Sequence, residues 1–365
     1  MFHSGGEERG RCYRHDNSFY KMFVKAGDSK KMVDEKIKVI HYGLGPIGVE
    51  TAKLVLSKKN LQIVGAVDIS EDKAGRDLGA VLGLDDTLGI VVTDRAQDLF
   101  SSESADIVIH TAGSRIMTIY SQLEEIIGSG INVISSSEEL SFPFTANEAS
   151  AKNLDATARE NGVTVLGTGV NPGFIMDALP LYLTGVCKDV SAVRVERYVD
   201  AGTRRLPLQR KVGAGLSPHV FRERVSQKML GHVGLVESLQ FVAHYLGISL
   251  DRIEETIDPV VAEQAVKTDY FDLNPGDVLG IKHIAQGFLG TSVIISLDLR
   301  MYVGADDPHD AIFIEGNPSI SLKVEGGVAG DQATAAILVN SVPGVVAARP
   351  GLVTVKDLPA PHFYR

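Results

Sequence analysis

Cysteine is scarce in this chain. Only Cys12 and Cys187 occur in 365 residues. That excludes a disulfide framework and a cysteine-built zinc cluster, and it fits a reducing compartment, so a cytoplasmic location is expected. Basic excess is also missing. The net charge is −10, so neither nucleic acid nor an anionic membrane is an expected main partner, because both need a basic face. No apolar run reaches the length of a membrane span. The ten histidines are scattered, without H-E-x-x-H or paired ligand spacing, and no metal site is predicted. What is present is ordinary globular composition, 44% hydrophobic and 22% charged. The length suits two domains or one large α/β unit.

Residues 1–35 differ from the rest. They have little periodicity and many polar residues, and they lack the continuous apolar core of a secretory signal. Glu7, Glu8, Asp16 and Asp28 count against an organelle-targeting peptide. The segment reads as a disordered extension, or as translated sequence ahead of a start near Met32.

The most informative stretch is Ile37 to Gly48, IKVIHYGLGPIG. Gly43, Gly45 and Gly48 have G-x-G-x-x-G spacing, with Leu44, Pro46 and Ile47 completing the turn. The first glycine allows a tight turn, the second lets a pyrophosphate approach, and the third lets the next helix pack close. The helix N-terminus then offers free N–H groups to the phosphates. A β-branched run precedes this turn and a helical pattern follows it. A second strand, Leu61 to Val67, ends at Asp68, about where a carboxylate binds the adenosine ribose. A nicotinamide dinucleotide is the expected cofactor. Asp68 favours NAD, since a carboxylate repels a 2′-phosphate. Ser70, Lys73 and Arg76 share the loop and would hold that phosphate if the acid turned away, so NADP stays open.

Strands are predicted at 37–43, 61–67, 89–93, 105–111, 131–136 and 163–168, with helices at 46–58, 72–82, 115–129 and 145–161 between them. This alternation implies right-handed crossovers and a doubly wound parallel sheet, a Rossmann domain over 36–187. After 187 the pattern changes to an α+β domain over 188–328 with an open, largely antiparallel sheet. Its expected elements are a strand at 191–199, helices at 218–230, 233–247 and 251–267, and strands at 278–286, 291–303 and 311–324. Turns are marked at 306–308 and 316–318. Residues 329–365, with a helix from Asp331 to Val342, are expected to return to the first domain.

Ligands in such folds sit outside the carboxyl ends of the strands. Thr111 and Ala112 end the fourth strand and are small enough for a cofactor to pass. Ser135, Ser136, Ser137, Glu138 and Glu139 end the fifth. Two successive carboxylates there are costly unless solvent or a ligand satisfies them. They should diverge, so at most one faces the cleft. Such an acid, partly buried, has its pKa raised and suits proton transfer to and from nitrogen; the plainer alternative is a pair of helix-start carboxylates. Asn171, in the Asn-Pro-Gly turn after the sixth strand, is placed for a nicotinamide contact. Phe174 and Met176, with Phe142 and Phe144, offer apolar walls for a substrate or simply pack the core. Tyr198, Arg204 and Arg205 are candidates to reach substrate from the second domain, where an arginine pair suits a carboxylate, though a solvated loop is the plainer reading of that pair. His110, His219, His232 and His283 are proton-shuttle candidates, though a lone histidine is more often structural. Asp177 reads as a helix cap.

The order of motifs, IKVIHYGLGPIG, AVD with DKAGRDLG, SSSEELSFP, GTGVNPGFIMD and DQATAAILVNSVP, resembles the 2,4-diaminopentanoate dehydrogenases and the related native amine dehydrogenases. More distantly it is similar to the N-terminal domain of dihydrodipicolinate reductase. The resemblance runs from residue 37 to the C-terminus. It implies NAD(P)-dependent oxidative deamination of an amine, or amination of a ketone with ammonia. It also implies a homodimer formed through the second domain. Glu138 matches the family's ammonia-handling glutamate, with Glu139 the adjacent possibility. Asn171 and Asn340 fall in motifs near the nicotinamide. Two other readings are a reductase of an imine or alcohol and a dinucleotide sensor without turnover.

Overall fold

The computed structural model describes residues 36–364. The expectation for residues 1–35 lies outside the described residues. The chain from Ile37 onward clusters as one compact unit.

In the first half, β1 (Ile37–Tyr42) turns into α1 (Pro46–Leu56). Then come β2 (Leu61–Val67), α2 (Leu78–Leu82), β3 (Val92–Thr93), α3 (Ala96–Ser102), β4 (Ile107–His110) and α4 (Ile116–Gly128). β5 (Asn132–Ser135), α5 (Glu148–Glu160), β6 (Thr164–Gly167) and α6 (Ala178–Thr184) complete it. The second half holds β7 (Asp189–Asp200), α7 (Leu206–Lys211), α8 (Pro218–Ser226), α9 (Leu235–Tyr245) and β8 (Arg252–Val261). A two-residue pair follows, β9 (Val266–Lys267) and β10 (Asp272–Leu273). Next are β11 (Val278–Leu289), β12 (Ser292–Tyr302), β13 (His309–Asn317) and β14 (Ile320–Glu325). α10 (Gly330–Val346) leads to β15 (Gly351–Val353).

The first sheet is parallel throughout, in the order β15-β6-β5-β4-β1-β2-β3. The strand order reverses between β1 and β4, which makes the crevice where doubly wound folds bind ligands. The second sheet runs β14-β13-β7-β12-β11-β8 and is antiparallel except for the β7–β12 pair. The expected fold class therefore holds. Helix α10 packs on α1 and carries β15 back to the edge of the first sheet. Its Leu338, Val339 and Val342 share one apolar core with Val39 and Ile109 of the first sheet and Val195 and Leu297 of the second. Burial of this shared core is the main force locking the sheets in register.

The strand predicted at 89–93 is only Val92–Thr93, and three larger local expectations also failed. Residues 251–267 are not a helix: Arg252–Val261 is an edge strand paired to β11. Ile253, Thr256, Ile257, Val260 and Val261 are β-branched, and Pro259 breaks a helix but is tolerated in an edge strand. The helix predicted at 72–82 shrinks to Leu78–Leu82, because Gly75 takes φ 79° and the Asp77 side chain caps at Gly79 N. The strand predicted at 311–324 is two strands that turn back at the Gly316–Pro318 signal.

Candidate active site

The glycine turn sits at the carboxyl end of β1. Gly43 has φ 89°, and a Cβ there would come within 3.0 Å of Thr111 C. A Cβ on Gly48 would stand 2.0 Å from Gly43 O, so helix α1 lies directly on the turn. A Cβ on Gly45 would meet nothing within 4 Å, which leaves its backbone open to a ligand. Thr111 Oγ1 donates to Gly43 O at 2.7 Å. Asp68 accepts Leu44 N at 2.6 Å on one oxygen and Ser70 N at 2.9 Å on the other. Lys73 pairs with the same carboxylate at 3.3 Å. Arg76 instead donates to Asp72 O at 3.0 Å and is exposed, so Lys73 is the cation beside Asp68. The turn thus gathers Gly43, Leu44, Gly45, Pro46, Ile47, Gly48, Asp68, Ser70, Thr111 and Ala112 on one edge. The open face at Gly45 and the N-terminus of α1 fit a pyrophosphate.

Beside the turn is a cavity of about 260 Å³ between the two sheets. Ile47, Glu138 and Asn171 come to it from the first sheet, Arg205 and Lys211 from the segment around α7, and His232 from the loop before α9. Ile281, Leu299 and Met301 of the second sheet and Asp331 and Thr334 of α10 close it. Glu138 opens a 3₁₀ turn after β5. Burial raises its pKa; the charge of Lys211 and a hydrogen bond with the Ser114 side chain oppose this, and Glu139 adds to it. Asn171 Oδ1 is buried without a partner, as is Asn340 Oδ1 on α10. The open amide oxygen of Asn171, on the cavity wall, fits an N–H donor of a carboxamide.

The adjacent acid does something else. Glu139 Oε2 accepts Ile116 N at 2.9 Å, and its Oε1 lies 3.3 Å from Arg115. It caps helix α4 and does not line the cavity, so its catalytic candidacy is withdrawn. Tyr198 lies on the outer face of β7, ringed by His309, Arg300 and Asp298. Strand alternation puts Arg197, not Tyr198, on the inner face. Met176 is fully buried and Phe174 packs against the same core; neither lines the cavity. Among the histidines, His110 bonds Ser135 Oγ at 2.9 Å and Gln122 Oε1 at 2.8 Å, and burial pushes it down to about 4, so it is a strut. His283 is tied to Glu255 at 2.8 Å, and His219 is exposed. Asp177 caps α6 as expected.

Sequence reasoning missed Arg197, Lys211, Thr334 and Asp331. A signal existed for Arg197. In Val193-Arg-Val195-Glu-Arg197 it is the charged residue in phase with the buried valines. It is buried against Asp310 Oδ1 at 2.6 Å and Val328 O at 2.8 Å. No local pattern marks Lys211. Among the described residues there is no group of three potential metal ligands, and no helix is long and apolar enough to cross a membrane.

Residues 174–364 match the model of the 2,4-diaminopentanoate dehydrogenase C-terminal domain, and residues 37–137 match that of the dihydrodipicolinate reductase N-terminus. A 2,4-diaminopentanoate dehydrogenase from Acetoanaerobium sticklandii is 32% identical over 341 residues, covering 90% of this chain and 95% of that protein. An amine dehydrogenase from Streptomyces virginiae is 25% identical, covering 88% of this chain and 96% of that protein. The solved amine dehydrogenase from Mycobacterium smegmatis superposes with a TM-score of 0.80 at 28% identity, covering 90% of this chain and 97% of that one. With a dinucleotide turn, an inward glutamate and matches along nearly its whole described length, the chain belongs to the 2,4-diaminopentanoate dehydrogenase family, dinucleotide-dependent oxidoreductases of CH–NH2 groups.

Proposed function

We propose that this protein catalyses the reversible NAD(P)-dependent oxidative deamination of an amine that also carries a carboxylate, as 2,4-diaminopentanoate does. In reverse it aminates the matching ketone with ammonia. The observation that carries the reading is Glu138, a carboxylate inside the cavity whose pKa burial raises. Lys211 on the cavity wall, with Arg205 beside it and paired to Asp331 at 3.5 Å, suits a substrate carboxylate, which favours an amino acid over a simple aliphatic amine.

The bound nicotinamide supplies the hydride acceptor or donor. Glu138 takes a proton from the substrate ammonium, giving the neutral amine from which oxidation proceeds. Once that proton has passed to solvent and hydride has left, the ionised Glu138 takes a proton from water attacking the iminium and delivers it to nitrogen. It then takes the hydroxyl proton as ammonia departs and the ketone forms. Ile281, Leu299 and Met301 keep bulk water from the reacting carbon. Asn171 and Asn340 are assigned to the nicotinamide end.

NAD is the assigned first choice. Two backbone N–H groups hold the Asp68 carboxylate where a 2′-phosphate would meet it. Domain limits of 36–187 and 188–328, with 329–365 returning to the first, are part of the reading. So is a cytoplasmic homodimer. Its support is the outer face of the second sheet, where Ile284, Ile294, Tyr198 and Phe313 are only half-buried.

The test is Glu138→Gln, assayed by NAD(P)+ reduction with 2,4-diaminopentanoate. Turnover falls by about 10³-fold while NADH still binds. Unchanged turnover eliminates the assignment.

A further inference from the structure

Of the histidines noted in the sequence, His232 alone lines the cavity, and the mechanism above does not use it. It is fixed from two sides. Its backbone N–H donates to His283 Nδ1 at 3.3 Å, and His283 Nε2 lies 2.8 Å from Glu255 Oε1. An accepting Nδ1 means that His283 carries its hydrogen on Nε2 and donates it to Glu255. The His232 ring is in turn hydrogen-bonded to the backbone of Asn171. Its Nε2 is sealed from solvent and has no partner. Burial, then the charges of Lys211 and Arg197, push the ring down to about 3, so it is neutral at any working pH. A neutral imidazole that gives its one N–H to a backbone carbonyl has a bare lone pair on the other nitrogen. A buried lone pair is costly unless something brings it a donor.

We propose that His232 Nε2 accepts an N–H from a second nitrogen of the substrate, so that the site selects diamines over mono-amines. This rests on the reading in which Glu138 handles the reacting nitrogen. The two acceptors differ in kind. Glu138 is an acid–base group whose proton moves, whereas His232 holds no mobile proton and only recognises a donor. The donor suited to it is an amine or ammonium N–H, because a carbonyl or carboxylate would set lone pair against lone pair. Asp331 on the same wall pairs with Arg205 at 3.5 Å and so offsets part of the positive charge that this arginine would turn on an ammonium.

The experiment compares kcat/KM for NAD(P)+ reduction with 2,4-diaminopentanoate, 2-aminopentanoate and 4-aminopentanoate, the last two each lacking one nitrogen. The native protein prefers the diamine to the better mono-amine by about tenfold or more. His232→Leu reduces that ratio to within about threefold, and His232→Gln, which keeps a carbonyl acceptor, retains a preference. Should the leucine variant not fold, His232→Lys replaces it, as a donor with no acceptor, and must lose what the glutamine variant keeps. An unaltered ratio in the leucine or lysine variant overturns the proposal. So does a native enzyme that uses a mono-amine as well as the diamine, although the role of Glu138 then stands. NADH affinity weakened by about tenfold in His232→Leu would place the donor on the cofactor and also overturn it. If the native protein binds NADH and oxidises none of the three amines, the amine reading itself fails, and this proposal with it.

Discussion

The glycine turn and the cavity flank the same carboxyl edge of one sheet, yet they treat their polar atoms in opposite ways. At the turn, Thr111 closes on Gly43 O, and both Asp68 oxygens accept backbone N–H groups. At the cavity, Asn171 Oδ1 and His232 Nε2 are buried without partners. A turn satisfied from within is rigid and presents its backbone to a ligand already shaped. A cavity with open acceptors depends on what enters it, and so it discriminates. Glu138 and Glu139 repeat the contrast within two residues: one faces the cavity, and the other is spent on capping a helix.

Substitutions on each side sharpen this contrast. Glu138→Gln comes first in size, with its loss of about 10³-fold in turnover. Gly48→Val strikes the turn instead. Its Cβ would stand 2.0 Å from Gly43 O, so α1 must lift away. NADH affinity measured by fluorescence titration falls by about 10²-fold, and the melting temperature drops with it. A Gly48→Val protein with native affinity would show that α1 need not lie on the turn.

Lys211→Ala acts on the cavity more gently. KM for a carboxylate-bearing amine rises by about tenfold, while an amine without a carboxylate is less affected. The pH profile supplies a second readout. Glu138 works as a base only when ionised, so kcat/KM rises as pH climbs through its raised pKa. Lys211 lowers that pKa, so its removal moves the acid limb to higher pH. A limb that stays put, or moves down, would separate Lys211 from Glu138. Glu139→Gln has the smallest effect. It weakens the cap on α4 and costs about 0.5–1 kcal/mol in denaturant unfolding, with kcat within about twofold of native. A large loss of kcat there would return Glu139 to the chemistry.

The first sheet was the more legible half. Its strands are short β-branched runs and its turn is a glycine signature, and both are local features of the chain. The second half was harder to read because residues 251–267 carry carboxylates and isolated isoleucines that also fit a helix. Only pairing with β11 makes Arg252–Val261 a strand. The cavity was legible in part. Glu138 and Asn171 stand at strand ends, where position alone points to a ligand. Lys211 has no local mark, because its place depends on how the segment around α7 meets the first sheet. Tyr198 and Arg197 were exchangeable until strand phase was known, since neighbours on a strand face opposite ways.

The sequence by itself determined the dinucleotide turn, the doubly wound order and the presence of two candidate acids, because glycine spacing, hydrophobic period and residue chemistry are properties of short segments. The tertiary structure decided which acid faces inward, which histidine keeps an open nitrogen and which cations share the cavity wall. Those outcomes depend on residues far apart in the chain, such as Glu138, Lys211 and His232, lining one cavity, and only the joint packing of both sheets with α10 brings such residues together.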